Sequence, residues 1–133
     1  MNTKEFTIKI NQADISVPAV KNLLSQSYWA SDRTSESIKS SIENSICYTC
    51  YIDKKLVGFG RVVTDYSTVF WICDIIIDEN FRAKGYGQKL METIMHTKDF
   101  DGLLGVLATK DAHNLYEKYG FERNSDRFMK RPR

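Results

Sequence analysis

Apolar and polar positions alternate over Phe6-Thr7-Ile8-Lys9-Ile10, and a period of two predicts a strand at 6–10. Val20, Leu23 and Leu24 then form a helical stripe, with Pro18 where a first turn tolerates it, so 17–27 is predicted helical. Ile38, Ile42 and Ile46 recur every fourth position, and Glu36 suits the positive end of a helix dipole, which predicts a second helix at 34–44. Three strand-like runs follow at 46–52, 56–64 and 68–77, joined by Asp53-Lys54-Lys55 and Asp65-Tyr66-Ser67. Gaps this short connect antiparallel neighbours. The third run is nearly all apolar, interrupted by Asp74, which predicts burial on both faces.

Helical spacing returns with Leu90, Met91, Ile94 and Met95, in a helix expected to run to about residue 97. A short buried strand is expected at 103–109. A helix at 112–119 then places Ala112, Leu115, Tyr116 and Tyr119 on one face, with Asp111 as N-cap and Gly120 just past its end. A last edge strand is expected at 127–131. The order is β α α β β β α β α β. This is an α/β (α+β) sandwich with a mixed, mainly antiparallel sheet and helices on both faces. The central hairpins exclude a doubly wound sheet.

The chain's 133 residues suit a single domain, 1–133. Lys plus Arg is 19 and Asp plus Glu is 17, a net of 19 − 17 = +2, so neither a nucleic-acid nor a membrane-surface partner is expected. No apolar run approaches the roughly 20 residues of a membrane span, and the first twelve residues lack the apolar block of a secretory signal. With three cysteines, Cys47, Cys50 and Cys73, the expected setting is the reducing cytoplasm. Cys47 and Cys50 spell C-x-x-C, but in a strand residues three apart point to opposite faces. Their sulfurs are expected to diverge, and no second pair completes a zinc site, so no metal is expected.

Chemistry concentrates in Arg82-Ala83-Lys84-Gly85-Tyr86-Gly87, between a buried strand and an amphipathic helix. Two glycines let a ligand approach the main chain without a Cβ in the way. Amides at a helix start lack intrahelical partners and, with the helix dipole, favour an anion. Arg82 and Lys84 add cations, so a phosphate or pyrophosphate is the natural ligand; the alternative is a glycine-softened connection with two solvated cations. A P-loop is excluded because no Ser or Thr follows Lys89, and a dinucleotide fingerprint because Leu90 stands where its third glycine belongs.

Arg-x-x-Gly-x-Gly after a hydrophobic strand resembles the acetyl-CoA pyrophosphate loop of the GNAT acyltransferase superfamily. The stretch from Leu107 to Phe121, with Asn114, Tyr116 and the ending Tyr119-Gly120-Phe121, is similar to that family's closing strand and helix. The resemblance implies an N-acetyltransferase in which a primary amine attacks the thioester of acetyl-CoA directly. Its acceptor would be a small-molecule or protein amine, and the chain a monomer or homodimer. A CoA-binding module without turnover, a different acyl-CoA donor and another phosphate binder are the alternatives.

The resemblance also implies site residues. Ile75, Ile76 and Ile77 would border the pantetheine arm, with Ile75 and Ile77 pairing through their main chains. The loop of Arg82, Ala83, Lys84, Gly85, Tyr86 and Gly87, extended to Gln88, would hold the pyrophosphate. Asn114 would contact the arm. Tyr116 would protonate the leaving thiolate, or simply pack with Leu115 and Tyr119. An amide near Ile75 would face the oxyanion. Asp74 is the candidate base, or pairs within the structure; His96 and His113 read as structural. Tyr28, Trp29, Arg33 and Arg61 are expected to border the acceptor, with core anchoring the alternative for Tyr28 and Trp29. Asp65 flanks the same hairpin.

Overall fold

A computed structural model describes residues 5–133; the first four residues of the N-terminal stretch lie outside the described residues. Five strands form one sheet in the order β1-β2-β3-β4-β5: β1 (Phe6–Ile10), β2 (Ile46–Ile52), β3 (Lys55–Thr64), β4 (Val69–Ile77) and β5 (Leu104–Val106). The first four pair antiparallel, and β5 pairs parallel to β4. Helices α1 (Val17–Leu24) and α2 (Ser35–Glu43) pack on one face through Val20, Leu23, Leu24 and Ile38 against Cys47, Phe59 and Ile76. Helices α3 (Tyr86–Met95) and α4 (His113–Glu117) cover the other face, where Leu90, Met91, Ile94 and Tyr116 meet Tyr48, Cys50, Val62, Ile72 and Ile77. Cys47 and Cys50 therefore sit on opposite faces, and burial pushes their thiols up to about 11 and about 12. Among the described residues no helix is long and apolar enough to cross a membrane.

Side-chain caps set several boundaries. Ser16 accepts from the Ala19 N–H at 3.2 Å to start α1, and Thr34 accepts from the Ser37 N–H at 3.1 Å to start α2. Helix α1 stops three residues short of the predicted end. The Ser25 and Ser27 hydroxyls donate to the Asn22 and Leu24 carbonyls, at 2.6 and 2.7 Å, and compete with further helical bonding. Asp111 does not cap α4. Ala112 holds that position, and its N–H donates to Thr109 Oγ1 at 3.0 Å.

Three expectations about the sheet are corrected. Strand β4 is not buried on both faces throughout, because α1 and α2 cover Ile76 but leave Trp71 44% exposed. The predicted strand at 103–109 is only Leu104–Val106; pairing with β4 ends at Trp71 opposite Val106, and the chain beyond leaves the sheet. The edge strand at 127–131 does not form. A 3-10 turn, Ser125–Arg127, stands at its start, and the rest is exposed, irregular chain ending in Pro132 and Arg133. A strand needs a partner edge, and β5 offers only three residues.

Candidate active site

The departure of β5 leaves one edge of β4 open from Ile72 to Ile77. Main-chain groups of a strand alternate sides. The Asp78 N–H donates to the Val57 carbonyl on β3, at 2.8 Å, so the main-chain groups of Ile77 and Ile75 face the open edge. Ile76 points its side chain into the α1–α2 core instead. A bulge sharpens the arrangement. Phe59 pairs with Ile76 and Arg61 with Cys73, so Gly60 alone opposes Asp74 and Ile75. Asp74 takes a positive φ of 56°, and Ile72 and Ile75, three apart, reach the same face. A Cβ on Gly60 would lie 2.7 Å from Ile75 Cδ1, so a larger residue there would push the Ile75 side chain aside.

The loop after β4 exposes its main chain. Ala83 (φ 62°) and Gly85 (φ 81°) both take left-handed conformations, and Gly85 is the N-cap of α3. The first intrahelical bond runs from the Lys89 N–H to the Gly85 carbonyl, at 3.1 Å. The N–H groups of Tyr86, Gly87 and Gln88 thus precede it and lack intrahelical acceptors. A Cβ on Gly85 or Gly87 would meet nothing within 4 Å, so the cradle is open to a ligand. The Lys84 side chain is exposed beside it. Arg82 also braces the loop, because its Nε–H donates to the Ile77 carbonyl at 2.9 Å and ties the turn to the end of β4. The Tyr86 ring is not free for a ligand; it stacks on Phe6 at 4.1 Å between centroids. The Gln88 carbonyl accepts from the Tyr119 hydroxyl at 3.1 Å, joining α4 to the same turn.

On α4, Asn114 is exposed and Tyr116 is buried, 9% accessible. The Tyr116 hydroxyl makes no hydrogen bond among the described residues. None of their side-chain polar atoms is buried without a partner, so this hydroxyl opens to solvent. Burial of the ring, with the nearby Tyr28 and Asp111, pushes its pKa up to about 12. It therefore keeps its proton at neutral pH. His113 is half-buried in the first turn of α4, while His96 caps α3, its ring Nδ1–H donating to the Glu92 carbonyl at 2.6 Å.

The loop between α1 and α2 reaches the other side of the bulge. Arg33 Nη1 and Arg61 Nε both donate to Asp74 Oδ2, at 2.6 and 2.9 Å, and Trp29 Nε1 donates to Oδ1 at 3.0 Å. The Asp74 side chain is only 3% exposed. Burial pushes its carboxyl up, but the Arg33 hydrogen bond and the two guanidinium charges outweigh that and hold it below the ordinary value. Arg61 also donates to Ser45 Oγ at 3.1 Å, and the Lys21 ammonium donates to the Arg33 carbonyl at 2.7 Å. The Tyr28 hydroxyl accepts from the Lys110 N–H at 3.1 Å, so the loop also touches the segment after β5.

Trp29, Arg33, Arg61 and Asp74 thus meet in one network, with Tyr28 alongside. Neither Tyr28 (58% exposed) nor Trp29 (39%) anchors the loop in the core; Ala30, 3% exposed, does that. Asp65 is committed elsewhere, since its carboxylate accepts from Ser67, Thr68 and Val69 N–H groups and from the Thr68 hydroxyl, which lower its pKa. Sequence reasoning missed Lys110, Ser45 and the second contact of Arg82. No local signal marks the first two, whose partners are distant in the chain.

The model for the acetyltransferase (GNAT) domain matches residues 43–123. Among solved structures, a Xanthomonas campestris pv. campestris protein assigned to the GNAT family is 31% identical, with 95% of this chain and 93% of that chain covered and a TM-score of 0.85. A GNAT acetyltransferase from Elizabethkingia anophelis with acetyl-CoA bound is similar in fold: 21% identity, 90% and 78% coverage, TM-score 0.69. An uncharacterized N-acetyltransferase of Gracilaria tenuistipitata var. liui is 28% identical over 71% of this chain and 56% of its own. The chain spans from about a quarter to about half of the length of the first curated relatives it matches. By this match and by its fold, the chain belongs to the GNAT acetyltransferase family.

Proposed function

We propose that this protein transfers an acetyl group from acetyl-CoA to a primary amine. The observation that carries the reading is the continuity of the open β4 edge with the free amides at the start of α3. An extended arm can pair with Ile75 and Ile77 as an added strand, while its diphosphate rests on Tyr86, Gly87 and Gln88 N–H groups beside Lys84. The residues fit such a ligand: no strand pairs with the edge beyond Trp71, the cradle is empty of side chains, and the remaining N–H groups of Arg82 face no protein acceptor among the described residues. Ala83 shapes the turn through its left-handed φ. Asn114, exposed on α4, is assigned to contact the arm. The donor structure from Elizabethkingia holds acetyl-CoA on a related fold, which supports the same co-substrate here.

The chain's own residues then divide the chemistry. The Ile75 N–H donates to the developing oxyanion. Tyr116 donates its retained proton to the leaving sulfur. Asp74, with both oxygens occupied and its proton affinity lowered, is a weak base; its role is to hold the bulge that aims Ile75. Tyr28, Trp29, Arg33 and Arg61 border the acceptor. The three cysteines are free, which supports the cytoplasm as the setting. Acetyl-CoA at 100 times its Kd should stabilise the protein by about 2.7 kcal/mol, read as a thermal shift against ATP and NAD. A shift with ATP and none with acetyl-CoA rejects the reading. Thiol release over a panel of amines then tests turnover.

A further inference from the structure

Two guanidiniums and one carboxylate meet beneath the α1–α2 loop, which leaves one excess positive charge. Arg33 and Arg61 share a single oxygen, Asp74 Oδ2. Among the described residues neither has a second carboxylate within 4.0 Å. Their side chains are only 17% and 14% exposed, and their unpartnered nitrogens are not sealed off, so a ligand can reach them. Each keeps N–H groups without an acceptor on these residues. A half-buried cation in excess calls for an anion.

Its position says where that anion belongs. Asp74 adjoins Ile75, whose main chain faces the open edge, and consecutive Cα atoms are about 3.8 Å apart. The excess charge is therefore anchored on the residue next to the place assigned to the thioester. Beside it, Val63 pairs with Trp71 across β3 and β4, next to the Arg61–Cys73 pair. Val62 and Ile72 point into the α3 side, so Val63 and Trp71 face the α1–α2 side, where both are 44% exposed. An apolar wall thus adjoins the cations.

We infer that the acceptor is an α-amino acid with an apolar side chain, its carboxylate held by Arg33 and Arg61 and its side chain laid against Trp71. This rests on the acetyl-transfer reading above and names its acceptor class. An α-amino acid has its amine and carboxylate on one carbon, which matches the short step from Asp74 to Ile75. Polycationic acceptors are repelled.

The test compares pairs that differ only in the carboxylate. CoA-saturated protein is titrated calorimetrically with phenylalanine against phenethylamine, and with tryptophan against tryptamine. The acids are expected to bind at least about tenfold tighter, by charge-assisted hydrogen bonds to arginine. Raising salt from about 0.05 M to about 0.5 M narrows the gap. In Arg33→Gln the gap shrinks to about threefold, a lost charge contact, with the acetyl-CoA thermal shift as the check on folding. Where that variant does not fold, the wild-type pairs decide alone. Equal or tighter binding of the decarboxylated amines, or no binding of either acid, overturns the proposal. A wild-type protein that acetyl-CoA fails to stabilise overturns the acetyl-transfer reading itself, and with it this inference.

Discussion

The two sides of the β4 bulge are built on opposite plans. On the donor side, the 82–88 turn offers main-chain N–H groups from consecutive residues, with little side-chain packing around Gly85 and Gly87. On the acceptor side, Trp29, Arg33 and Arg61 converge on Asp74 across separations of 45, 41 and 13 residues. In the proposed reading, the first plan recognises a ligand at small cost to the fold. The second couples recognition to folding, because each of its members is another's hydrogen-bond partner. Damage to the acceptor side should therefore reach stability, and damage to the donor side should reach binding alone.

The strongest challenge to that contrast is Asp74→Ala. It strands two partly buried guanidiniums and an indole N–H, and a loss of about 3–5 kcal/mol is expected by urea unfolding. Asp74→Asn should lose less, since Asn tolerates positive φ and still accepts from Trp29. A loss below about 1 kcal/mol in the Ala variant would show the network to be idle in folding. The same residue sets an acid limb. Its folded pKa lies below the ordinary 3.8, so its contribution is present above that value and is lost as pH falls through it towards the lower folded value. Asp74→Asn should lack this component in a pH series of unfolding curves.

Tyr116→Phe comes next, with kcat expected to fall about 10²-fold while the melting temperature barely changes. With the phenol pushed up to about 12, the wild-type pH–rate profile should show no alkaline loss from this group at ordinary working pH. Full kcat in the Phe enzyme would return Tyr116 to a packing role. On the donor side, Gly87→Glu should leave stability unchanged or raise it by up to about 1 kcal/mol, since an acid suits a first helical turn. Its acetyl-CoA affinity should nonetheless fall about tenfold or more, because the new carboxylate repels phosphate. A large stability loss there would erase the contrast. The smallest effect belongs to Tyr28→Phe, which removes one acceptor for the Lys110 N–H and should cost about 0.5–1 kcal/mol.

Legibility follows the same division. Periods of two and of 3.6 mark strands and helices because burial acts on every turn of the chain, and so Val20-Leu23-Leu24 and Leu90-Met91-Ile94 could be assigned to core faces. The 82–87 loop was readable because glycines, cations and a helix start lie side by side. Boundaries were less so. The serines that shorten α1 act through hydroxyls whose choice between carbonyl and water leaves no periodic trace, and the strand at 127–131 failed because β5, the edge strand after β4, is only three residues long.

Sequence alone determined the element order as far as α4, the opposed faces of Cys47 and Cys50 and the glycine-rich helix start with its free amides, because each depends on residues within a few positions of one another. Tertiary structure decided that β5 leaves β4 after Val106, that Arg82 braces Ile77, and that Asp74 is consumed by two arginines and a tryptophan. Those outcomes depend on distances between segments far apart in the chain. Such distances are set when the whole core packs, and no local pattern encodes them.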